Sequence, residues 1–153
     1  MISRLPLDEQ LPALRTTLSH NPTLLTVLDR AATLALPGWY LTAGCLFQTI
    51  WNVTTGRPPE QGIKDYDLFS YDPADLSYEA AIDTFAATTC CLGIRLDPHD
   101  HWHVYAPHGL ADIFNLVLRP NPVLASREVY ETKAERWQRQ WPELRVLGWP
   151  ETD

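Results

Sequence analysis

Two carboxylates one residue apart, Asp65 and Asp67, lie in the run Ile63-Lys64-Asp65-Tyr66-Asp67-Leu68-Phe69. Read as a β-strand, the run places Asp65 and Asp67 on one face, with Tyr66 and Leu68 on the other, because strand side chains alternate with a period of two. Neighbouring carboxylates repel each other and resist full ionisation unless a cation sits between them. A hard divalent ion with a preference for oxygen fits there, and Mg²⁺ is the natural choice. Asp-x-Asp alone describes a polar edge strand with two solvated acids equally well. Thr42-Ala43-Gly44-Cys45, upstream, adds a second part. A glycine at the end of a strand lets the backbone approach a ligand, because no Cβ intrudes. The helix that follows presents free N–H groups and the positive end of its dipole, a seat for phosphate. Gly44 by itself is also explained by an ordinary strand-to-helix turn. A Gly turn, a helix, a loop and an Asp-x-Asp strand in this order would set a cation site beside a phosphate seat. Phosphoryl and nucleotidyl transfer depend mainly on such positioning and charge stabilisation.

The elements that must hold these groups follow from periodicity and breakers. Leu7 to Leu18 and Pro22 to Leu36 are expected to be helical, the second with Leu24, Leu25, Leu28, Ala31, Ala32 and Ala35 at helical spacing and Pro37-Gly38 as its stop. Trp39 to Ala43 is a short apolar strand, and Cys45 to Val53 is a helix with Leu46, Ile50 and Val53 on one side. Gly56, Pro58, Pro59 and Gly62 make Thr54 to Gly62 a loop. Ile63 to Tyr71 is the Asp-bearing strand, closed by Asp72-Pro73, and Ser77 caps a helix running to Phe85. Thr88 to Leu96 and Trp102 to Ala106 read as strands joined by a turn at Asp97-Pro98-His99-Asp100. Leu110 to Leu118 suits helix or strand. Ser126 to Trp141 is a helix that buries Tyr130, Ala134, Trp137 and Trp141 and wets Glu128, Lys133, Glu135 and Arg139, with Pro142 ending it. The fold class expected is α+β: a small mixed sheet with flanking helices, in a single domain over residues 1–153.

Composition sets outer bounds. A chain of 153 residues with 45% hydrophobic and 20% charged content can bury a core. Its net charge of -7 argues against a broad electrostatic grip on nucleic acid, though not against a local basic patch. No apolar run nears the roughly 20 residues of a membrane span, and the N-terminus does not read as a signal peptide. Three cysteines, two of them adjacent (Cys90 and Cys91), do not make a disulfide framework, so the cytoplasm is the expected compartment.

Ala43-Gly44-Cys45-Leu46-Phe47-Gln48-Thr49-Ile50-Trp51-Asn52 followed by Lys64-Asp65-Tyr66-Asp67-Leu68-Phe69 resembles a bacterial family of nucleotidyltransferase-like proteins in the polymerase-beta-type superfamily. The likeness continues through Ala106-Pro107-His108-Gly109-Leu110-Ala111-Asp112-Ile113-Phe114, Arg119-Pro120-Asn121-Pro122, Tyr130-Glu131-Thr132-Lys133-Ala134-Glu135-Arg136-Trp137 and Trp141-Pro142-Glu143-Leu144. It thus covers most of the chain from Leu24 onward. The resemblance implies a nucleoside triphosphate on the Gly44-Cys45 turn and Mg²⁺ on Asp65 and Asp67. It also implies transfer of a nucleoside monophosphate to an acceptor hydroxyl. The acceptor, whether small molecule, RNA or protein, is not implied. The pattern departs where the family carries a further segment with an acidic strand, since this chain runs directly from Tyr78-Glu79-Ala80 to Ala81-Ile82-Asp83-Thr84. The superfamily usually activates the acceptor with a third carboxylate on a later strand.

Asp112, after the Gly109 turn, is the remaining candidate for that third acid; a helix-start acid satisfied by backbone donors is the plainer reading. Asp83 reads as a helix-face charge. Lys64 should point away from Asp65 and serve as a solvated or structural charge. Arg119 and Asn121 could orient the base or the acceptor, or simply form a turn. His99, His101 and His103 alternate beside Asp97 and could bind Zn²⁺ if all three lay on one strand, but His99 falls in the expected turn. Cys90 and Cys91 read as buried strand filling. Three functions remain open: a Mg²⁺-dependent nucleotidyltransferase, a degenerate module that binds nucleotide or a partner without chemistry, and a histidine-strand metal binder.

Overall fold

The structure is a computed structural model that describes residues 4–70 and 78–152. Helix α1 (Leu7–Leu18) buries Gln10, Leu14 and Leu18, spaced four apart on one face. Helix α2 (Pro22–Thr33) starts where the sequence signals it: Asn21 Oδ1 accepts the Leu24 N–H at 3.0 Å, and Pro22 occupies the first turn. It stops three residues before Leu36. Ala35 turns left-handed at φ 51°, and Leu36 precedes a proline, which disfavours helical backbone.

Strand β1 (Tyr40–Thr42) leads into helix α3 (Gly44–Thr54). Strand β2 (Asp67–Phe69), helix α4 (Tyr78–Asp83), a 3-10 turn (Thr88–Cys90) and strands β3 (Gly93–Leu96) and β4 (Trp102–Tyr105) follow. Helix α5 (Ala111–Phe114), strand β5 (Val117–Leu118), helix α6 (Arg127–Gln140) and strand β6 (Arg145–Val146) complete the described chain. The main sheet runs β2-β1-β3-β4 and is antiparallel throughout, with Thr42 opposite both Asp67 and Gly93. The parallel pairing lies apart, in the two-stranded β5-β6 sheet. The α+β architecture with flanking helices is therefore present, and the sheet beside the Asp pair is antiparallel rather than mixed, the parallel strands forming a separate pair.

Several boundaries differ from the sequence reading. Of the strand expected over Ile63 to Tyr71, whose last residue lies outside the described residues, only Asp67–Phe69 is regular, because β1 offers only three residues to pair with. Thr88 to Leu96 splits into the 3-10 turn and β3, and Leu110 to Leu118 is helix then strand, a left-handed Leu116 separating them. Helix α4 ends at Asp83 rather than Phe85. The Asp72-Pro73 turn and the Ser77 cap fall outside the described residues. Among those described, no helix is long and apolar enough to cross a membrane.

Helix α3 is the hub. Cys45, Leu46, Phe47, Ile50 and Trp51 are buried along it. Phe47 packs on Trp51 at 4.8 Å and on Trp137 of α6 at 5.2 Å between ring centroids, and Trp51 meets Trp141 at 5.3 Å. Such tilted and edge-on contacts add to what area burial supplies. Asn52, fully buried, ties this hub to the loop ahead of the Asp pair. Its Nδ2 donates to Pro59 O at 3.0 Å and Gln61 O at 2.8 Å, while its Oδ1 accepts from Trp141 Nε1 at 2.8 Å.

Candidate active site

The turn from β1 into α3 is strained. Ala43 adopts φ 62° and ψ −132°, a region that costs a non-glycine residue about 1–3 kcal/mol. Its carbonyl accepts the N–H of Leu46 at 2.9 Å, starting the helix, and no side chain caps α3. Gly44 itself has ordinary backbone angles, so its value is space: a Cβ there would come within 3.1 Å of Gln48 Nε2. The helix start is thus bare and open toward a cavity of about 450 Å³.

Asp65 and Asp67 both line that cavity, with Thr42, Gly44 and Gln48. Tyr66 and Leu68 pack against the core instead, and the Tyr66 hydroxyl accepts from Asn21 Nδ2 at 3.2 Å. The alternation holds across the Asp pair even though Asp65 precedes the regular strand. Both Asp residues are exposed, and among the described residues no hydrogen bond or ion pair engages either carboxylate. Oxygen donors left open in this way suit a hard divalent ion. Among the described residues no group of three or more His, Cys, Asp or Glu could hold a metal. The chain would therefore supply two carboxylates, leaving the other positions to water and substrate phosphates, as Mg²⁺ sites commonly do.

Cys45 is placed differently from Gly44. Its side chain is 1% exposed and lies beneath the turn, its Sγ 3.6 Å from Thr42 O. Burial, then the nearby Asp67 charge, pushes its thiol up to about 12, so it stays protonated at neutral pH. Cys45 does not line the cavity: its side chain belongs to the core behind Asp67, and only its backbone at the helix start is left to meet a ligand. Asp112 does not line the cavity. It is held by Arg119, with Nε to Oδ2 at 2.8 Å.

Lys64 corrects the expectation that it faces away from Asp65: it lines the same cavity. Residues 63–66 are not regular strand, so strict alternation does not govern the backbone there. Asn121 is buried, and its Nδ2 donates to Asp83 O at 2.7 Å and Phe85 O at 2.9 Å, which fixes the turn that bears Phe85 and Ala86 on the cavity wall. Asp83 accepts from the Tyr105 hydroxyl at 2.6 Å rather than standing free. Cys90 borders the cavity from the 3-10 turn, not from a strand.

Sequence reasoning missed the contribution of α6. Lys133, Arg136 and Gln140 also line the cavity, beside Trp137. A signal was present. Arg127 and Arg139 each have a glutamate four residues away and pair with it (Glu131 and Glu135), whereas Lys133 and Arg136 have no acid at three or four residues in either direction.

The histidine group is organised around Asp97. Its Oδ1 accepts the backbone N–H groups of His99 and His101 at 2.8 and 3.0 Å, and its Oδ2 lies 2.9 Å from His103 Nε2. The His103 contact, followed by the His101 N–H, holds the Asp97 carboxyl well below the usual carboxylate range. His99 sits in the hairpin turn rather than on strand β4, which carries His103.

An antiparallel sheet flanked by helices, with a bare helix start facing an Asp pair across one cavity, defines a nucleotidyltransferase-type architecture. A nucleotidyltransferase family profile matches residues 29–81 and 76–146, and the chain belongs to that family. The two matched pieces overlap at residues 76–81. An NMR structure described as revealing a CCA-adding enzyme head domain has the same fold, with a TM-score of 0.71 over 97% of this chain and 100% of that one, at 23% identity. No curated protein matches the chain.

Proposed function

We propose that the cavity binds a nucleoside triphosphate with Mg²⁺ on Asp65 and Asp67, and that the protein transfers the nucleoside monophosphate to an acceptor hydroxyl. The observation that carries this reading is the convergence of two unpaired carboxylates, a bare helix start and three cationic side chains on one cavity. The backbone N–H groups of Gly44 and Cys45 bind phosphate oxygens, with Gln48 beside them. In the transfer, the acceptor hydroxyl oxygen bonds to the α-phosphorus and gives its proton to solvent water, the bond from that phosphorus to the pyrophosphate oxygen breaks, and pyrophosphate leaves with the electron pair. When bound, the ion supplies positive charge that offsets the triphosphate and the charge developing on it. The likeness to a CCA-adding enzyme head domain makes nucleic acid the first acceptor class to test; small molecules and proteins follow. The three free cysteines support a reducing compartment such as the cytoplasm.

One observation favours a second reading, a module that binds nucleotide without transfer. Among the described residues the cavity lining holds Asp65 and Asp67 and no third carboxylate, and Asp112 is occupied by Arg119. Incubation with each γ-labelled NTP and Mg²⁺ separates the two. Pyrophosphate release that Asp65→Asn abolishes supports transfer. Nucleotide bound without release, across RNA, small-molecule and protein acceptors, supports the binding module.

A further inference from the structure

Lys133 and Arg136 stand one turn apart on α6 and carry like charge, an arrangement that weakens a helix by a few tenths of a kcal/mol unless something offsets it. Neither forms an ion pair among the described residues, while Arg127 and Arg139 on the same helix both do. The two unpaired cations are the ones that line the cavity. Both rest on the Trp137 ring, Lys133 Nζ at 5.9 Å and Arg136 Cζ at 5.7 Å from its centroid. Trp137 is in turn packed on Phe47 of α3, the helix whose start faces the same cavity. The cations are therefore mounted on the rigid aromatic hub that also carries Gly44. With Lys64, the lining bears three cations against two acids among the described residues, in a chain of net charge -7.

We infer that Lys133 and Arg136 form a polyphosphate subsite that grips the triphosphate of the nucleotide, an inference that rests on the reading of this cavity as a triphosphate site. Side chains one turn apart start about 5–6 Å from each other at Cβ. Both side chains can therefore reach one phosphate or two neighbouring phosphates of a chain, and Lys64 on the same cavity gives a longer polyphosphate a third cation to meet. Charge-assisted hydrogen bonds of this kind give the subsite its grip, and the arginine adds a planar fork of donors.

The test is calorimetry with Mg²⁺ and inorganic tripolyphosphate, compared with orthophosphate. The wild-type protein should bind tripolyphosphate more tightly. Lys133→Gln/Arg136→Gln should weaken that binding by on the order of a hundredfold, about tenfold for each cation removed. Arg127→Gln/Arg139→Gln, which removes the same charge from the same helix, should stay within about threefold if the effect is local. Glutamine is a good helix former and relieves the like-charge pair, so the first variant should still melt cooperatively despite losing its contacts with Trp137. The charge-keeping variant Lys133→Arg/Arg136→Lys should retain most of the binding. Tripolyphosphate binding that survives Lys133→Gln/Arg136→Gln, or that falls equally in both glutamine variants or in the charge-keeping one, overturns the subsite alone. A wild-type protein that binds no tripolyphosphate overturns the cavity reading with it.

Discussion

Two regions of this protein gather charged and titratable side chains, and they differ in whether those side chains satisfy one another. At the β3–β4 hairpin, Asp97 accepts two backbone N–H groups and faces His103 at 2.9 Å, so the group closes on itself. At the cavity, Asp65, Asp67, Lys133 and Arg136 face a common space, and none has an ion-pair partner among the described residues. A cluster that satisfies itself shapes a turn. A cluster of both signs left unpaired around about 450 Å³ is arranged for something that enters. Residue types alone do not separate these cases, since three histidines look at least as chemical as two aspartates.

The contrast is broken most easily at the cavity. Asp67→Asn should lower nucleotidyl transfer by about a hundredfold or more, the scale of losing one electrostatic stabiliser in an enclosed site. Labelled pyrophosphate release measures it, and near wild-type release would remove Asp67 from the site. Next in size is Asn52→Ala. It strips three hydrogen bonds, one buried and two partly buried, that join α3, α6 and the loop ahead of Asp65, leaving Pro59 O, Gln61 O and Trp141 Nε1 without their partner. A loss of about 3 kcal/mol in urea-unfolding stability is expected; an unchanged midpoint would mean that the loop is held by other means.

Asp112→Asn sharpens the comparison from the other side. If Asp112 only pairs with Arg119 near the surface, its loss costs about 1 kcal/mol or less and leaves transfer within about twofold. Transfer abolished in that variant would restore it as the third acid. The smallest effect belongs to the hairpin. Because the fold lowers the Asp97 pKa, the stability it contributes is full above the unfolded aspartate value near 4 and is lost as pH falls through the lower folded value. Asp97→Asn should therefore flatten the acid limb of the stability profile without touching nucleotide binding, which thermal melts from pH 7 down to pH 2 would record.

Much of the frame was legible because its signals are local. Asn21-Pro22 announces the start of α2, Ser126 caps α6 through the Val129 N–H, and the stripe Tyr130, Ala134, Trp137 is buried as its spacing requires. The hairpin around Asp97-Pro98-His99-Asp100 was legible for the same reason. What the sequence concealed depends on distant packing. The short β2 follows from the length of its partner β1, and Lys64 faces the cavity because no ladder fixes residues 63–66. The α6 cations join the site through the packing of Trp137 on Phe47, residues far apart in the chain. Cys45 carried a motif position but a buried side chain, a separation of backbone from side chain that spacing does not reveal.

The most direct measurement is calorimetric titration of each NTP, in Mg²⁺ and in EDTA, into the wild-type protein and into Asp65→Asn/Asp67→Asn, with melts confirming that both are folded. Binding that requires Mg²⁺ in the wild type and disappears in the folded double variant is the expected result. No NTP bound by the wild type, or equal binding by the double variant, would contradict the assignment of this cavity as a metal-dependent nucleotide site.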